Sequence, residues 1–397
     1  MNTLHVVGAR PNFMKVAPVM AALSRRPGVS QVLVHTGQHY DPNMSDIFFR
    51  ELRLPRPDVN LEVGSGSHAR QTAEVMLRFE PVVLERRPDW VLVYGDINST
   101  VAAALVCAKI GVRAAHVEAG LRSFDRTMPE EINRLVTDQI VDLLLTPSMD
   151  GNDNLRREGI PYERVHFVGN VMIDTLVRLL PEAEALWPVL RRELGLAEAP
   201  RYGLVTLHRP SNADDPTVLT ELMTALAEIA EEVPLVFPLH PRTRRRLADL
   251  DLLPPDAGTP ADGASRPSDY GSPIAPHSSP FTLHPSPLTH YGLRVTEPLG
   301  YLEFLALQRH AALVITDSGG IQEETTYLGV PCFTMRENTE RPVTVTVGTN
   351  TLIGHDVRRL RREVTALLRG DRKEGQVPLL WDGHAGERIA DILLSHR

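Results

Sequence analysis

Two cysteines in 397 residues, Cys107 and Cys332, exclude a disulfide-stapled scaffold. Both lie in apolar runs and read as small core residues rather than a disulfide or metal pair, as expected for a reducing cytoplasm. Positive charge is scarce as well. Lys and Arg number 42 against 50 Asp and Glu, for a formal charge of −8. A nucleic-acid partner is therefore not expected. No apolar stretch reaches about 18 residues, the length a membrane-spanning helix needs. Met1 runs straight into a strand pattern, so neither a signal peptide nor a membrane partner is expected and the chain reads as cytoplasmic.

What is present is a regular alternation. The chain is long enough for two domains, and 42% apolar with 23% charged residues suits a globular protein. Strand-length apolar runs fall at Leu4–Val7, Val32–His35, Trp90–Tyr94, Val112–Val117, Leu143–Thr146 and Val165–Val168. Helical-period stretches such as Phe13–Leu23, Gln71–Leu84 and Thr100–Ile110 lie between them. A second series begins after Leu186, with strands predicted at Gly203–Leu207, Leu235–Phe237, Leu293–Val295, Leu313–Thr316, Pro331–Met335 and Thr351–Ile353. Such alternation predicts an α/β fold of two doubly wound, Rossmann-like domains, with ligand in an interdomain cleft at the carboxyl ends of strands. The expected boundaries are 1–175 for the N-terminal domain and 186–370 for the C-terminal one. Residues 371–397 are expected to form a C-terminal helix packing back on the N-terminal domain. Pro254–His290 is rich in Pro, Ser, Gly and Thr, with almost no apolar period. It reads as a disordered insertion, with a tolerated surface loop as the default and a lid or partner tether as the alternative.

Candidate chemistry sits at predicted strand ends. Thr316 to Glu324 runs from a strand through Gly319-Gly320 into a helix. Free N–H groups of that first turn suit an anion, while Glu324, one turn in, suits a pair of sugar hydroxyls. Asp96 closes one strand and Glu118 the next, and Glu130 with Glu131 opens a helix after Pro129. Asp96 could instead be a helix N-cap, and Glu130 a first-turn acid with no further role. Gly8-Ala9-Arg10-Pro11 ends the first strand, and Arg10 and Lys15 could reach a pyrophosphate; Lys15 could equally be a solvated helix residue. His208-Arg209 follows another strand, as a ligand contact or a structural pair, and Arg341 also reads as a surface salt-bridge residue. Gly64-Ser65-Gly66-Ser67-His68-Ala69 matches a loose dinucleotide pattern, but no convincing strand precedes it.

Taken in order, Gly8-Ala9-Arg10-Pro11 with Lys15, Tyr94-Gly95-Asp96, His116 to Arg122, Pro129-Glu130-Glu131 with Asn133-Arg134, Thr316 to Glu324 and Thr339-Glu340-Arg341-Pro342 resemble the non-hydrolysing UDP-N-acetylglucosamine 2-epimerase family. The similarity runs from Thr3 to about Leu394, leaving out the insertion. It implies a two-domain fold of the glycosyltransferase-B type. It also implies reversible C2 epimerisation of UDP-N-acetylglucosamine to UDP-N-acetylmannosamine, through elimination of UDP to a 2-acetamidoglucal and re-addition, in the service of surface polysaccharides. By that resemblance Asp96, Glu118 and Glu130 are the essential acids and His208 a catalytic histidine near the diphosphate. Arg10, Lys15 and Arg341 become UDP-side contacts, Ser318, Gly319 and Gly320 the diphosphate loop, and Glu324 the ribose acid. Leu299 and Phe304 match the uracil pocket. Neither metal nor nicotinamide is required, and a homodimer is implied. Two motifs depart from the family pattern: His208-Arg209-Pro210-Ser211-Asn212, and Gln38-His39-Tyr40-Asp41. Both regions help bind a second, activating substrate molecule in bacterial members. Gly8 to Pro11 with Tyr94 to Thr100 also resembles the branch acting on UDP-2,3-diacetamido uronates. A glycosyltransferase of the same fold is the more distant alternative.

Overall fold

Short strands buried on both faces alternate with helices and build two all-parallel sheets in a computed structural model of the chain. The structure describes residues 1–37, 49, 51–253 and 292–396, with Arg10 by its backbone alone. The predicted insertion 254–290 and the Gln38-His39-Tyr40-Asp41 motif lie outside the described residues.

The described residues form two units. Unit 1 comprises Met1–Pro181, Thr339–Val347 and Val377–Arg397. Its sheet contains β1 (Asn2–Val7), β2 (Ser30–His35), β3 (Val59–Asn60), β4 (Trp90–Tyr94), β5 (Ala114–Val117), β6 (Leu143–Thr146) and β7 (Val165–Phe167), in the order β3-β2-β1-β4-β5-β6-β7. Unit 2 comprises Glu182–Asn338 and Gly348–Gln376. It holds β8 (Gly203–Thr206), β9 (Leu235–Pro238), β10 (Leu293–Thr296), β11 (Leu313–Thr316), β12 (Cys332–Thr334) and β13 (Asn350–Leu352), in the order β10-β9-β8-β11-β12-β13. Strand order reverses between β1 and β4 in one sheet and between β8 and β11 in the other. Chains leaving neighbouring strands diverge at these points, and doubly wound folds place ligand groups in the gap that opens there.

The apolar strand runs are continuous because helices cover both faces of each sheet; all five residues of β4 are buried. Each unit has its own core. In unit 1 Val91, Val93, Leu144 and Phe79 of the helix His68–Arg86 pack together. In unit 2 Val205, Phe237 and Ile315 meet Leu222 and Leu226 of the helix Pro216–Glu232.

β4, β6 and β11 have the predicted bounds. β5 begins two residues later than predicted, at Ala114. Gly111 closes the preceding helix in the left-handed conformation and Val112 N–H returns to Cys107 O at 3.0 Å, so Val112 belongs to the helix cap. The helix Val171–Glu193 carries the chain from unit 1 into unit 2. Thr339–Val347, which the sequence boundaries placed with the C-terminal domain, groups with unit 1. The last helix, Ala385–Ser395, packs against the first, Arg10–Ser24, in unit 1. Asp174 anchors its start, accepting from Ala385 N–H at 3.1 Å and Gly386 N–H at 2.7 Å. Among the described residues no helix is long and apolar enough to cross a membrane.

Candidate active site

In unit 1, two acids leave adjacent strand ends. β4 and β5 are in register with Tyr94 opposite Val117, so Asp96 and Glu118 emerge side by side. Gly95 between them has φ of 63°. A Cβ there would lie 2.7 Å from Lys15 Nζ and 3.3 Å from Glu118 Oε2, so glycine is what lets these groups close against the turn.

Asp96 Oδ2 lies 2.5 Å from Arg134 Nη2. Burial alone would raise the Asp96 carboxyl, but Arg134, then Lys15 and Arg341, outweigh it and hold it below the usual carboxylate range. The N-cap reading of Asp96 fails: Ile97 occupies the cap of the helix Asn98–Ile110, with no side-chain cap.

Glu118 is buried and carries φ of 75°, a conformation that costs an L-residue about 1–2 kcal/mol. Two cations hold it there. Lys15 Nζ donates to Oε2, and Arg341 Nη2 donates to Oε1 at 3.2 Å. Arg341 also pairs with Glu340. Lys15 and Arg341 are only 5% and 7% exposed, which overturns the solvated-helix reading of one and the surface reading of the other. Pro11 at the start of the helix Arg10–Ser24 pre-sets its first turn and leaves Lys15 on the inward face. Arg10 opens that helix.

Glu130 and Glu131 occupy the first turn of the helix Pro129–Ile140 but differ in surroundings. Glu131 is buried and accepts from Ser123 N–H at 2.9 Å, Ser123 Oγ at 3.0 Å, Phe124 N–H at 3.0 Å and Arg134 Nη1 at 2.8 Å. Glu130 is half-buried and stands outside this network. Arg134 therefore ties Glu131 to Asp96.

In unit 2, the helix Gly319–Leu328 starts at the two glycines, one residue beyond Ser318. The N-cap residue, Ser318, makes no side-chain cap bond to that first turn, whose N–H groups suit an anion. Glu324 is buried; Tyr301 Oη donates to its Oε1 at 3.0 Å, and the Gln308 amide nitrogen, turned inward, donates to Oε2 at 3.0 Å. Burial pushes this carboxyl up to about 7, against the hydrogen bond from Tyr301. Half-buried Leu299 and Phe304 flank the start of the helix Tyr301–His310, which brings Tyr301 beside Glu324. His208 follows β8 and presents Nδ1 to Asp317 Oδ1 at 2.9 Å. Asp317, after β11, also accepts from His208 N–H at 2.9 Å, Arg209 N–H at 2.8 Å and Asn212 Nδ2 at 3.0 Å. Burial would raise Asp317, and these bonds, His208 foremost, bring it below the usual range.

The dinucleotide-like run has a different use. Ser67 caps the helix His68–Arg86 by accepting from Arg70 N–H at 3.3 Å, and the preceding β3 is only two residues long. Sequence reasoning passed over Glu131, Tyr301 and Asp317 as site residues. The i,i+3 spacing of Glu131 and Arg134 on one helix face was the available signal for the first. The other two depend on contacts between elements: Asp317 meets His208, 109 residues away, and Tyr301 meets Glu324 on the next helix.

The model of the UDP-N-acetylglucosamine 2-epimerase family matches residues 21–394. A UDP-N-acetylglucosamine 2-epimerase of Methanococcus maripaludis is 39% identical over 394 residues, 99% of this chain and 98% of that protein. A UDP-2,3-diacetamido-2,3-dideoxy-D-glucuronate 2-epimerase of Pseudomonas aeruginosa is 39% identical over 397 residues, 99% of each. The crystal structure of the Methanocaldococcus jannaschii UDP-GlcNAc 2-epimerase in complex with UDP-GlcNAc and UDP superposes with a TM-score of 0.82 at 39% identity, covering 100% of both chains. The two-domain α/β architecture is thus that of the glycosyltransferase-B type epimerases. With a family model spanning nearly the whole length and relatives this similar, the chain belongs to the UDP-N-acetylglucosamine 2-epimerase family of isomerases.

Proposed function

We infer that this enzyme inverts C2 of UDP-N-acetylglucosamine, giving UDP-N-acetylmannosamine. The observation that carries the reading is the pair of acids at adjacent strand ends, Asp96 against Arg134 and Glu118 between Lys15 and Arg341. The C2 hydrogen has no neighbouring carbonyl to stabilise a carbanion, so direct deprotonation is prohibitive. Elimination avoids the carbanion. A carboxylate takes the C2 proton, the C2–H electron pair becomes the C1=C2 bond, and UDP departs with the C1–O pair. In the return step a carboxyl group protonates C2 from the opposite face and the UDP oxygen re-forms the bond to C1. The two faces require differently placed acid–base groups, and Asp96, Glu118 and Glu130 are the candidates. Anionic carboxylates also stabilise positive charge developing at C1.

Unit 2 supports the nucleotide half of this reading. Ser318, Gly319 and Gly320 suit the diphosphate, Glu324 the ribose hydroxyls, Leu299 and Phe304 the uracil, and His208, oriented by Asp317, the leaving diphosphate. Arg10, Lys15 and Arg341 serve the UDP side, and Lys15 and Arg341 do so only by sharing their charge with Glu118. The reading includes a cytoplasmic homodimer that supplies a precursor of cell-surface polysaccharide; light scattering tests the dimer.

Incubation with UDP-N-acetylglucosamine in heavy water should place deuterium at C2 and yield UDP-N-acetylmannosamine. Absence of both removes the reading. The Pseudomonas relative, as similar as the Methanococcus one, supports a second substrate, the diacetamido glucuronate. Side-by-side kcat/KM values for the two UDP-sugars decide between them.

A further inference from the structure

His116 lies on β5 with its imidazole wholly buried, two residues before Glu118. Both ring nitrogens face acceptors. Nε2 lies 2.7 Å from Gly95 O, and Nδ1 lies 2.6 Å from Asp138 Oδ1. A peptide carbonyl can only accept, so Nε2 carries the hydrogen that binds Gly95 O. That carbonyl belongs to the peptide joining Gly95 to Asp96, and the bond fixes the plane from which Asp96 departs. The other carboxylate oxygen of Asp138 accepts Gly120 N–H at 3.1 Å and Arg122 Nη2 at 2.7 Å. Gly120, at φ of 82°, forms the turn just after Glu118, and a Cβ there would sit 2.5 Å from Gly151 O. Arg122 is itself forked onto Glu158, through Nε at 2.8 Å and Nη2 at 2.7 Å. One buried dyad thus grips the backbone beside each of two acids on two different strands.

We propose that His116 and Asp138 are positioning residues, a clamp that holds the Asp96 and Glu118 loops in mutual register for proton transfer at C2. The proposal rests on the reading of Asp96 and Glu118 as the acid–base groups. Its physical basis is that Glu118 occupies a strained backbone conformation and Asp96 follows a glycine, so neither loop is held by local preference. Lys15 and Arg341 hold the Glu118 side chain, and hydrogen bonds from a wholly buried, fully paired dyad constrain the backbone of both loops.

Amide substitutions test it without emptying the site. In His116→Gln the amide nitrogen reaches the former Nε2 position and still donates to Gly95 O. In His116→Asn it reaches only the Nδ1 position and the Gly95 tie is lost. Asp138→Asn keeps acceptance from Gly120 N–H and can donate to His116 Nδ1, whereas Asp138→Ala keeps neither bond. We expect kcat for C2 exchange, normalised to UDP-binding sites counted by calorimetry, to fall about a hundredfold in His116→Asn and Asp138→Ala. His116→Gln and Asp138→Asn should stay within about tenfold of wild type, with KM little changed in all four. A purely structural role would lower the melting temperature and the number of sites, leaving kcat per site alone. Wild-type kcat per site in His116→Asn overturns the clamp, as does Asp138→Asn or His116→Gln falling as far as its disruptive counterpart. If Asp138→Ala does not fold, the Gln-over-Asn order at His116 still decides. Lack of C2 exchange in the wild type removes the epimerase reading and the clamp with it; normal wild-type exchange with unaffected variants removes the clamp alone.

Discussion

Tyr301 donates to Glu324 at 3.0 Å in a buried corner of unit 2, where burial keeps the carboxyl titrating at about 7 instead of the usual 4.5. The acid is therefore folded into a place that favours its neutral form. A ligand offering hydroxyl donors would favour the anion instead, so UDP binding should release protons near neutrality, by up to one per site.

The pH dependence of stability follows from the same shift. The folded pKa is raised, so the stabilisation from Glu324 is complete below about 4.5 and is lost as pH rises toward about 7. Glu324→Gln removes this loss. Unfolding free energies of variant and wild type should nearly coincide at pH 4 and diverge at pH 8, the variant being more stable by on the order of 3 kcal/mol. Parallel pH profiles would show that Glu324 is already ionised in the free protein. UDP affinity should meanwhile drop about tenfold, measured by calorimetry at pH 8.

Asp96→Asn should abolish turnover while leaving the UDP dissociation constant within about threefold of wild type, since Asp96 is not among the groups proposed to hold UDP. Asp96 has a depressed pKa in the fold, so its stabilisation is present above the unfolded value and is lost as pH falls through the folded one. The asparagine variant should accordingly lose stability at pH 7 and approach wild type in acid. Normal turnover in this variant would remove Asp96 from the chemistry.

Glu130 and Glu131 are distinguishable by a paired experiment. Glu131→Gln breaks a buried bond to Arg134 and should destabilise by about 2 kcal/mol. Glu130→Gln should leave the urea midpoint unchanged and reduce C2 exchange. Full exchange activity in Glu130→Gln would transfer the catalytic role away from that residue.

Lys15→Met leaves Glu118 buried with Arg341 as its remaining cation from the described pair. The expected cost is about 2–3 kcal/mol, below that of stripping a buried charge completely. A melting temperature equal to wild type would mean that the strained Glu118 turn holds without its lysine.

The strands were legible because a sheet covered on both faces demands continuous apolar runs, and Trp90–Tyr94 and Leu143–Thr146 show this without ambiguity. Their ends were less legible. Helix-cap hydrogen bonds, such as Val112 N–H to Cys107 O, consume residues that periodicity assigns to the next strand. Among the acids, Asp96 and Glu118 stood out through their places at strand ends. The distinction between Glu130 and Glu131 did not, because adjacent helical positions differ only in which way they point.

By itself, the sequence determined the alternation of strand and helix, the glycine turns, and the order of motifs that marks the family. These are local: they depend on apolar period, on missing Cβ atoms and on residues adjacent in the chain. Tertiary structure alone decided the charge partners. Lys15, Glu118 and Arg341 lie more than a hundred residues apart from one another along the chain, and only the folding of unit 1 brings Lys15 and Arg341 onto the two oxygens of one carboxylate. The same packing placed Thr339–Val347 in unit 1, turned Arg341 from a surface residue into a buried one, and set His116 between two loops that neither periodicity nor composition connects. Burial and pairing set the charge state of an acid, and both are properties of the folded neighbourhood.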